Sequence, residues 1–262
     1  MKYFFEQLGH TFIPLFKAIG KVTLMVKSAI VWLFKSKLEH AEVIKESVRI
    51  GADSLIVVCL INFFTGMVLA LQTGYSSKSL FNEPLYIGTI VGFSIIKELA
   101  PVLTAIVVAG RAGAAVTAEI GTMKVTEQLD ALHTLGTNPA RYLLIPRYIA
   151  FIITLPLLTV FADFLGVMGG FVVSLVKLGV PSSVYWNDIF TFMEISNFMH
   201  GFLKSIFFAL IIATVSFHKG LGTKGGAEGV GKATTESVVT SMVLILVFDY
   251  FISAAFVFVG LI

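Results

Sequence analysis

Residues 110–147 read GRAGAAVTAEIGTMKVTEQLDALHTLGTNPARYLLIPR and form the one long polar interruption between strongly apolar segments. The charged residues that crowd this stretch are Arg111, Glu119, Lys124, Glu127, Asp130 and Arg141. A lipid-facing segment cannot hold them, because each charge would lose its hydration without compensation. We therefore expect the stretch to lie in water or against another protein.

The overall composition is that of an integral membrane protein. Hydrophobic residues make up 56% of the 262 residues and charged residues only 13%, and the mean hydropathy of +0.91 is too high for a soluble globular domain. A formal charge of +3 is too small to indicate nucleic-acid binding. The single cysteine, Cys59, excludes an intrachain disulfide, and the five scattered histidines predict no metal site.

The apolar segments predict five transmembrane helices, since they are long enough for the roughly 20 residues that a bilayer requires. Their expected bounds are 50–71, 86–108, 143–178, 200–217 and 238–262. The third segment is long for one span but short for two spans plus a turn, so we interpret it as one tilted or bent helix. Residues 179–199 are mixed and aromatic, which is typical of a short interfacial excursion.

Residues 12–33 carry apolar residues at helical spacing, but lysines at 17, 21 and 27 interrupt any spanning run. This pattern predicts an amphipathic helix in the membrane surface, with its lysines among the headgroups. An ordinary helix packed on the rest of the protein would share the pattern, and both interpretations remain open. The predicted fold is an all-α integral membrane protein with one domain, comprising the interfacial helix and its connector (1–49) and a transmembrane region (50–262).

The distribution of Lys and Arg predicts the orientation in the membrane. Fifteen of the 19 lie in the N-terminal region, in the central stretch and in the 217–238 connection. Only Lys78, Lys177 and Lys204 are assigned to the other side, and Lys97 falls within a span. Because cytoplasmic segments carry the excess of positive charge, we expect the N-terminus and the central stretch in the cytoplasm and the C-terminus outside.

A short amphipathic helix is predicted within the central stretch, over about 120–136. Its apolar face, at spacing i, i+4 and i+7, consists of Val125, Leu129 and Leu132. Thr122 or Thr126 is expected to cap its N-terminus, and Gly136 to close it in the left-handed conformation. The apolar face either packs within the chain or binds a partner, and the pattern alone does not distinguish these.

Short motifs follow one another in a fixed order along most of the chain. They are Gly66-Met67-Val68-Leu69 with Gln72, Glu98-Leu99 with Pro101, Gly110-Arg111-Ala112-Gly113, Thr117-Ala118-Glu119-Ile120-Gly121, Met123, Thr126-Glu127-Gln128, Asp130-Ala131-Leu132, Asn138-Pro139, Pro146-Arg147, Ala233-Thr234-Thr235 and Asp249. This order closely resembles the signature of MlaE-type permeases, the membrane subunits of lipid-transporting ABC systems. Lys97 stands where arginine is common in that family, and Ala100 where glycine is common.

The resemblance implies a homodimeric permease in the inner membrane of a Gram-negative cell. Such a permease moves glycerophospholipid between that membrane and a periplasmic MCE-domain carrier. ATP and Mg would bind to a separate cytoplasmic ABC ATPase, with no cofactor in this chain, and a STAS-like small subunit would be a further partner. The short central helix would be the cytoplasmic coupling helix that docks in a groove of the ATPase.

The resemblance also assigns candidate site residues. The expected contacts to the ATPase are Glu119, Met123, Thr126, Glu127, Asp130 and Leu132. The expected lipid-binding residues, on walls formed by the first, second and fifth spans, are Gly66, Leu69, Gln72, Tyr75, Lys97 and Glu98.

Four ionisable residues lie within predicted spans, namely Lys97, Glu98, Asp163 and Asp249. An ionisable residue near the bilayer centre costs about 2.5–3.5 kcal/mol on insertion scales, so it usually faces a polar cavity or a charged partner. Lys97 and Glu98 therefore either border the lipid cavity near the dimer interface or form a structural ion pair between helices. Because adjacent helical residues point about 100° apart, one partner shared by both is awkward. Asp163 and Asp249 fit helix packing as well as a functional role.

Two other classes of membrane protein remain as alternatives. A stand-alone secondary carrier usually contains two related halves with broken helices, and no such repeat is visible in the sequence. A non-transporting scaffold subunit would leave no distinctive motif. An enzyme is not expected, because the sequence has neither a GxSxG elbow nor an HExxH motif.

Overall fold

The computed structural model describes residues 40–81, 86–136 and 140–258, together with residues 20, 23 and 27. The described residues form helices and no strand. Their bounds are α1 His40–Phe81, α2 Ile87–Val125, α3 Gln128–Thr134, α4 Ile145–Val176, α5 Ser182–Phe192, α6 Ile195–Leu221 and α7 Gly226–Phe258. Five of them, α1, α2, α4, α6 and α7, are long and apolar enough to cross a membrane, which confirms the predicted all-α, five-span fold.

Some predictions fall where little of the chain is described. Of the expected N-terminal interfacial helix, only residues 20, 23 and 27 are described, and these three are helical. The rest of that prediction lies outside the described residues.

Most of the spans are longer than predicted. α1 contains 42 residues and α2 contains 39, which correspond to about 63 and 58 Å, compared with a hydrocarbon core about 30 Å thick. Both helices therefore project beyond the bilayer, and the bounds predicted from hydropathy cover only their apolar middle. The glycine-rich 217–238 connection is also mostly helical, because α6 ends at Leu221 and α7 begins at Gly226.

The central stretch is not the continuous polar interruption that the sequence predicts, because residues 110–125 continue α2 as a helix. Two of their three charges are paired with charges on α1. Arg111 Nη2 lies 2.9 Å from Asp53 Oδ2, and Glu119 Oε2 lies 2.8 Å from Arg49 Nη1. Counting the charges of the stretch alone misses these partners, which lie about 60–70 positions earlier in the chain.

The predicted helix over 120–136 is divided in two. α2 ends at Val125, Glu127 adopts a left-handed conformation with φ 60°, and α3 begins at the next residue. The expected apolar face is split by this break, since Val125 belongs to α2 and the buried Leu129 to α3. Gly136 is left-handed as predicted, with φ 73°.

The predicted threonine cap is wrong. The hydroxyls of Thr122 and Thr126 donate to the carbonyl oxygens of Ala118 and Thr122, four residues earlier, both at 2.8 Å. Thr122 lies inside α2 and Thr126 directly after its end, so neither stands at the residue before α3, which is Glu127. α3 begins directly after the left-handed residue Glu127, and neither threonine caps it.

α2 lies at the centre of the bundle, because it packs against each of the other four spans. Around it, α1 packs on α4, α4 on α6, and α6 on α7. Within the described ranges α1 and α7 make no substantial contact with each other, so the ring around α2 is open between them. The spans alternate in direction. We call the end of the bundle that carries α3 the α3 end, and the opposite end, which carries α5, the α5 end.

Glycines set the close contact between α1 and α4, which run parallel. A Cβ on Gly66 would overlap the carbonyl oxygen of Gly166. Close glycine or side-chain contacts of the same interface join Gly169 to Phe63, Gly51 to Thr154 and Gly74 to Leu178. Association of helices in a membrane depends on such packing, because lipid is as apolar as the side chains. α1 and α4 therefore form one unit over the whole span.

Replacement of Gly66 by alanine should destabilise this unit, whereas the same change in an open helix should not. Gly66→Ala forces two backbones apart, and overpacking of this kind costs about 1–3 kcal/mol. Gly231→Ala in α7 is the matched control, because nothing lies within 4 Å of its added Cβ and alanine favours a helix by about 1 kcal/mol over glycine. Thermal unfolding in detergent should give a lower midpoint for Gly66→Ala only; equal midpoints would contradict the packing argument.

Candidate functional site

Three ionisable side chains from different spans meet inside the bundle, in a group that we call the intramembrane network. Lys204 of α6 is fully buried, and its ammonium group contacts the carboxylate of Glu98 on α2 and lies 2.7 Å from Oδ1 of Asp249 on α7. Ser253, also on α7, donates its hydroxyl to Oε1 of Glu98 at 3.2 Å. One cation is thus shared by two carboxylates, and it links three spans.

The backbone near Glu98 explains why these residues meet. Residues Ile95–Leu99 form a π-helical turn just before Pro101, whose ring and missing N–H are incompatible with regular hydrogen bonding to the preceding turn. Gly201 on α6 approaches this turn so closely that a Cβ would overlap one of its carbonyl oxygens. α6 is therefore held against the turn that carries Glu98, and Lys204 comes within reach of it.

The position of Lys204 corrects its assignment to the membrane side opposite the central stretch. Its side chain has no solvent exposure, and it lies between two spans rather than in a connection. The sequence did hold a signal, because Lys204 is the fifth residue of the predicted fourth span. A buried cation requires nearby anions, and Glu98 and Asp249 were already recognised as charges within other spans.

Glu98 and Lys97 point to different surroundings, as their adjacent positions on a helix suggest. Glu98 takes part in the ion pair between helices, yet 43% of its side chain remains exposed. Lys97 is half-buried, and its ammonium group lies 5.5 Å from the ring centroid of Phe93. The structural ion pair is therefore observed for Glu98, and its exposed part leaves a role at a cavity open.

Two further buried polar residues lie in the spans. His200, one turn before Lys204, packs edge-on against Phe256 with ring centroids 4.4 Å apart, and neither imidazole nitrogen has a hydrogen-bond partner among the described residues. Asp163 of α4 is 6% exposed, and its Oδ1 likewise has no partner in the described part of the chain. Of the two aspartates predicted within spans, Asp249 belongs to the intramembrane network and Asp163 does not.

The predicted lipid-binding residues of α1 lie on two faces of that helix. Gly66 faces α4, where its missing side chain permits the contact with Gly166. Leu69 is partly buried in the core around α1, α2 and α4. Gln72 and Tyr75 are exposed, Tyr75 at 57%. The structure gives Gly66 a packing role, and lipid binding by these four residues stays a prediction.

A second group of charges, the α3-end cluster, consists of Glu46 and Arg49 on α1, Glu119 on α2 and Arg147 on α4. Arg147 Nε donates to Glu46 Oε1 at 2.9 Å, and its Nη2 contacts Glu119 Oε1. Glu119 Oε2 accepts a second hydrogen bond from Arg49 Nη1 at 2.8 Å. The four alternate in sign and join three spans, and both Arg147 and Glu46 are buried.

A cavity of about 540 Å³ lies beside this cluster. Its walls come from α1, from the end of α2 with Met123, from Gln128 at the start of α3, and from Tyr142 and Leu143 before α4. Two predicted ATPase contacts, Glu119 and Met123, therefore line the same space. Acidic and basic groups both border it, so its charge favours neither an anion nor a cation.

The remaining predicted ATPase contacts lie around the break between α2 and α3. Thr126 and Glu127 are exposed at the break itself. Asp130 on α3 is exposed and pairs with Lys124 at 3.3 Å, and Leu132 is half-buried. These residues lie together at the α3 end. Their contact with another protein remains a prediction.

Comparison with known proteins gives a family match over most of the chain. The family model described as "Permease MlaE" matches residues 43–255, which is most of the chain. The chain belongs to the MlaE permease family. It is 43% identical over 251 residues to a probable ABC transporter permease protein of Rickettsia bellii, covering 96% of each chain. It is 34% identical over 252 residues, again 96% of each chain, to the intermembrane phospholipid transport system permease protein MlaE of Haemophilus influenzae.

A relative from a third organism extends the likeness. A probable ABC transporter permease protein of Synechocystis is 38% identical over 221 residues, with 84% of each chain covered. Membership of the MlaE family makes the chain a multi-pass membrane protein and a permease of the ABC transporter class. Within the described residues, no group of three or more His, Cys, Asp or Glu side chains is arranged to hold a metal ion.

Two lysines at the same depth should respond differently to neutral substitution. Lys204→Met leaves Glu98 and Asp249 without their cation, and loss of one partner of a buried ion pair costs about 3–5 kcal/mol. Lys97→Met keeps an apolar stem against Phe93 and breaks none of the salt bridges among the described residues. The midpoint of thermal unfolding in detergent should fall for Lys204→Met and stay near the wild-type value for Lys97→Met. Similar midpoints for the two variants would show that the network is not a structural ion pair.

The left-handed backbone at Glu127 gives a further prediction. An L residue in that conformation is strained by about 1–2 kcal/mol, whereas glycine adopts it freely. Glu127→Gly should therefore unfold at a higher temperature than Glu127→Ala, although both variants lack the carboxylate. The two midpoints, measured in the same detergent, separate the backbone effect from the charge effect. If alanine is as stable as glycine, the break between α2 and α3 lies elsewhere.

Proposed function

We propose that the chain is the permease subunit of an ABC-type phospholipid transporter. It moves glycerophospholipid between the inner membrane and a periplasmic MCE-type carrier, driven by a separate ATPase subunit. The observation that carries this proposal is the partly exposed intramembrane network on a central helix, α2, whose surrounding ring of helices is open on one side. An amphiphile requires both features, because its headgroup needs polar partners while its chains need an apolar wall.

The lipid site is proposed at the gap between α1 and α7. Lys97 offers a positive charge on a half-buried face of α2, where it would attract the phosphate of a headgroup. Glu98 lies beside it, with Asp249 and Lys204 fixing its position. On α1, Leu69 would contact acyl chains, and the exposed Gln72 and Tyr75 would contact the more polar part of the lipid.

The partner of α1 and α7 is proposed to be a second copy of the chain. The most apolar part of α7 is only 11% buried and that of α1 only 28% buried, whereas the corresponding part of α4 is 56% buried. Two copies related by a twofold axis would cover these faces and close the gap on the far side of the lipid. The site would then lie between two protomers.

The α3 end is proposed to be cytoplasmic and to contact the ATPase. The end of α2 and the connection from α2 to α4 hold the family-implied contacts, of which Thr126, Glu127 and Asp130 are exposed. α3 would act as the coupling helix, and the N-terminus would lie on the same side. ATP and Mg would bind to the ATPase, a STAS-like small subunit would bind in the cytoplasm, and the MCE-type protein would bind at the α5 end.

Reconstitution tests this function against its two alternatives. The chain, alone and with its ATPase, is placed in liposomes that contain fluorescent phospholipid, and lipid movement is measured with and without ATP. ATP-dependent movement that requires the ATPase is the expected result. Gradient-driven movement without the ATPase would identify a secondary carrier, and no movement under either condition would identify a scaffold subunit.

Lys97→Met should lower ATP-dependent lipid movement at least about tenfold, because a hydrogen bond to a charged group contributes about 1.5–3 kcal/mol and about 1.4 kcal/mol is a factor of ten. Lys177→Met is the matched control, since Lys177 is an exposed lysine just after α4 at the α5 end. The rate of lipid movement per reconstituted protein is the measurement. A normal rate for Lys97→Met would remove Lys97 from the lipid site.

A further inference from the structure

The burial of Arg147 with Glu46 is not explained by a gain in stability alone. The guanidinium group of Arg147 is buried with Glu46, but Nη1 of Arg147 and Oε2 of Glu46 have no hydrogen-bond partner within the described residues. Buried ion pairs of this kind are often no more stable than apolar residues of similar volume, because both charges lose their hydration. Their best-supported use is to fix how elements are positioned relative to one another.

The α3-end cluster fixes both ends of the α2–α4 connection to a third helix. Glu119 lies on α2 shortly before the connection, and Arg147 lies at the start of α4 directly after it. Both are bonded to α1, Glu119 through Arg49 and Arg147 through Glu46. Arg147 also contacts Glu119 itself, so it joins all three helices.

The packing of α1 on α4 allows a displacement at one end of α1 to reach its other end. α1 packs on α4 through contacts that begin at Gly51 and continue through Gly66 to Gly74. A movement applied at the α3 end would therefore shift α1 together with α4, rather than bend it. The exposed residues Gln72 and Tyr75 lie at the other end of the same helix.

We propose that Arg147 is a positioning residue that transmits movement of the α2–α4 connection to α1 through Glu46, Glu119 and Arg49. This inference rests on the proposed function, in which an ATPase moves that connection. The cluster then couples ATP hydrolysis to lipid movement. Loss of the cluster uncouples the two without abolishing hydrolysis.

The test uses the complex of the full chain with its ATPase in liposomes, and the quantity measured is lipid moved per ATP hydrolysed. Arg147→Met should lower this ratio at least about fivefold, which is the lower end of typical coupling between sites. A purely structural role would reduce both activities in parallel, because less folded protein would be present, and would leave the ratio unchanged. An unchanged ratio therefore overturns the proposal.

Two further variants control for unpaired charge and for local perturbation. The triple variant Glu46→Gln/Glu119→Gln/Arg147→Met contains no unpaired buried charge, so it should recover stability while the ratio stays low. A normal ratio in the triple variant overturns the proposal. Lys45→Met should keep the wild-type ratio, because Lys45 borders the same cavity but among the described residues is bonded only to Glu42 on its own helix, at 3.3 Å.

A second readout does not depend on lipid transport. Val48 is 59% exposed and adjoins Arg49, and Cys59→Ser removes the single native cysteine, so Val48→Cys provides one labelling site on α1. The rate of its reaction with a maleimide should change when the complex is trapped with ATP and vanadate. That change should be lost in Arg147→Met. If the labelling rate does not change in the complex that carries only Cys59→Ser and Val48→Cys, the proposal is overturned. If the labelling rate changes but ATP-driven lipid movement is absent, the result counts against the proposed function.

Discussion

A charged group removed from water requires a charged partner, and this constraint accounts for much of the arrangement of the spans. Lys204 has no solvent exposure, so its ammonium group depends on the carboxylates of Glu98 and Asp249. Those partners lie on two other helices, which must therefore meet α6 at that depth. Apolar packing in lipid lacks such directionality, because every apolar surface finds an equivalent neighbour in the acyl chains. The ion pairs thus specify which helices are adjacent, and the glycine contacts specify how closely they approach.

The same constraint acts at the α3 end with a different outcome. Glu119 and Arg49 are partly exposed, and only the Glu46–Arg147 pair is fully withdrawn from water. Exposed charges interact weakly and exchange partners readily, whereas a buried pair keeps its geometry. The cluster therefore combines one fixed contact with contacts that can rearrange. The intramembrane network likewise has a buried cation and one carboxylate that reaches the surface, but among the described residues no second cation pairs with that carboxylate.

Sequence reasoning succeeds where the determining signal is local. The five spans, the third of them a single helix, follow from hydropathy and length, and the left-handed Gly136 follows from one residue type. The family follows from motifs in order. The helix ends do not follow, because residues 110–125 are helical and Arg111 and Glu119 among them have charge partners, Asp53 and Arg49, on α1. Lys204 is misplaced for a similar reason, since its partners lie 106 and 45 positions away in sequence. These features depend on pairs of charges that lie far apart in the sequence. A short window of sequence does not contain both members of such a pair.

Two helices, α1 and α2, run from the α3-end cluster to the depth of the intramembrane network. They differ in the regularity of their backbones. Glu119 and Glu98 lie on α2 about 31 Å apart along its axis, and the π-helical turn Ala109–Gly113 lies between them. A π turn interrupts the regular α-helical hydrogen bonding, so α2 is not one continuous α-helix between Glu119 and Glu98. α1 is a single α-helix over the same depth, and its glycines bind it to α4. The route from the α3 end to the gap beside Lys97 that follows one uninterrupted α-helix therefore runs through α1, on the side of the gap opposite α7.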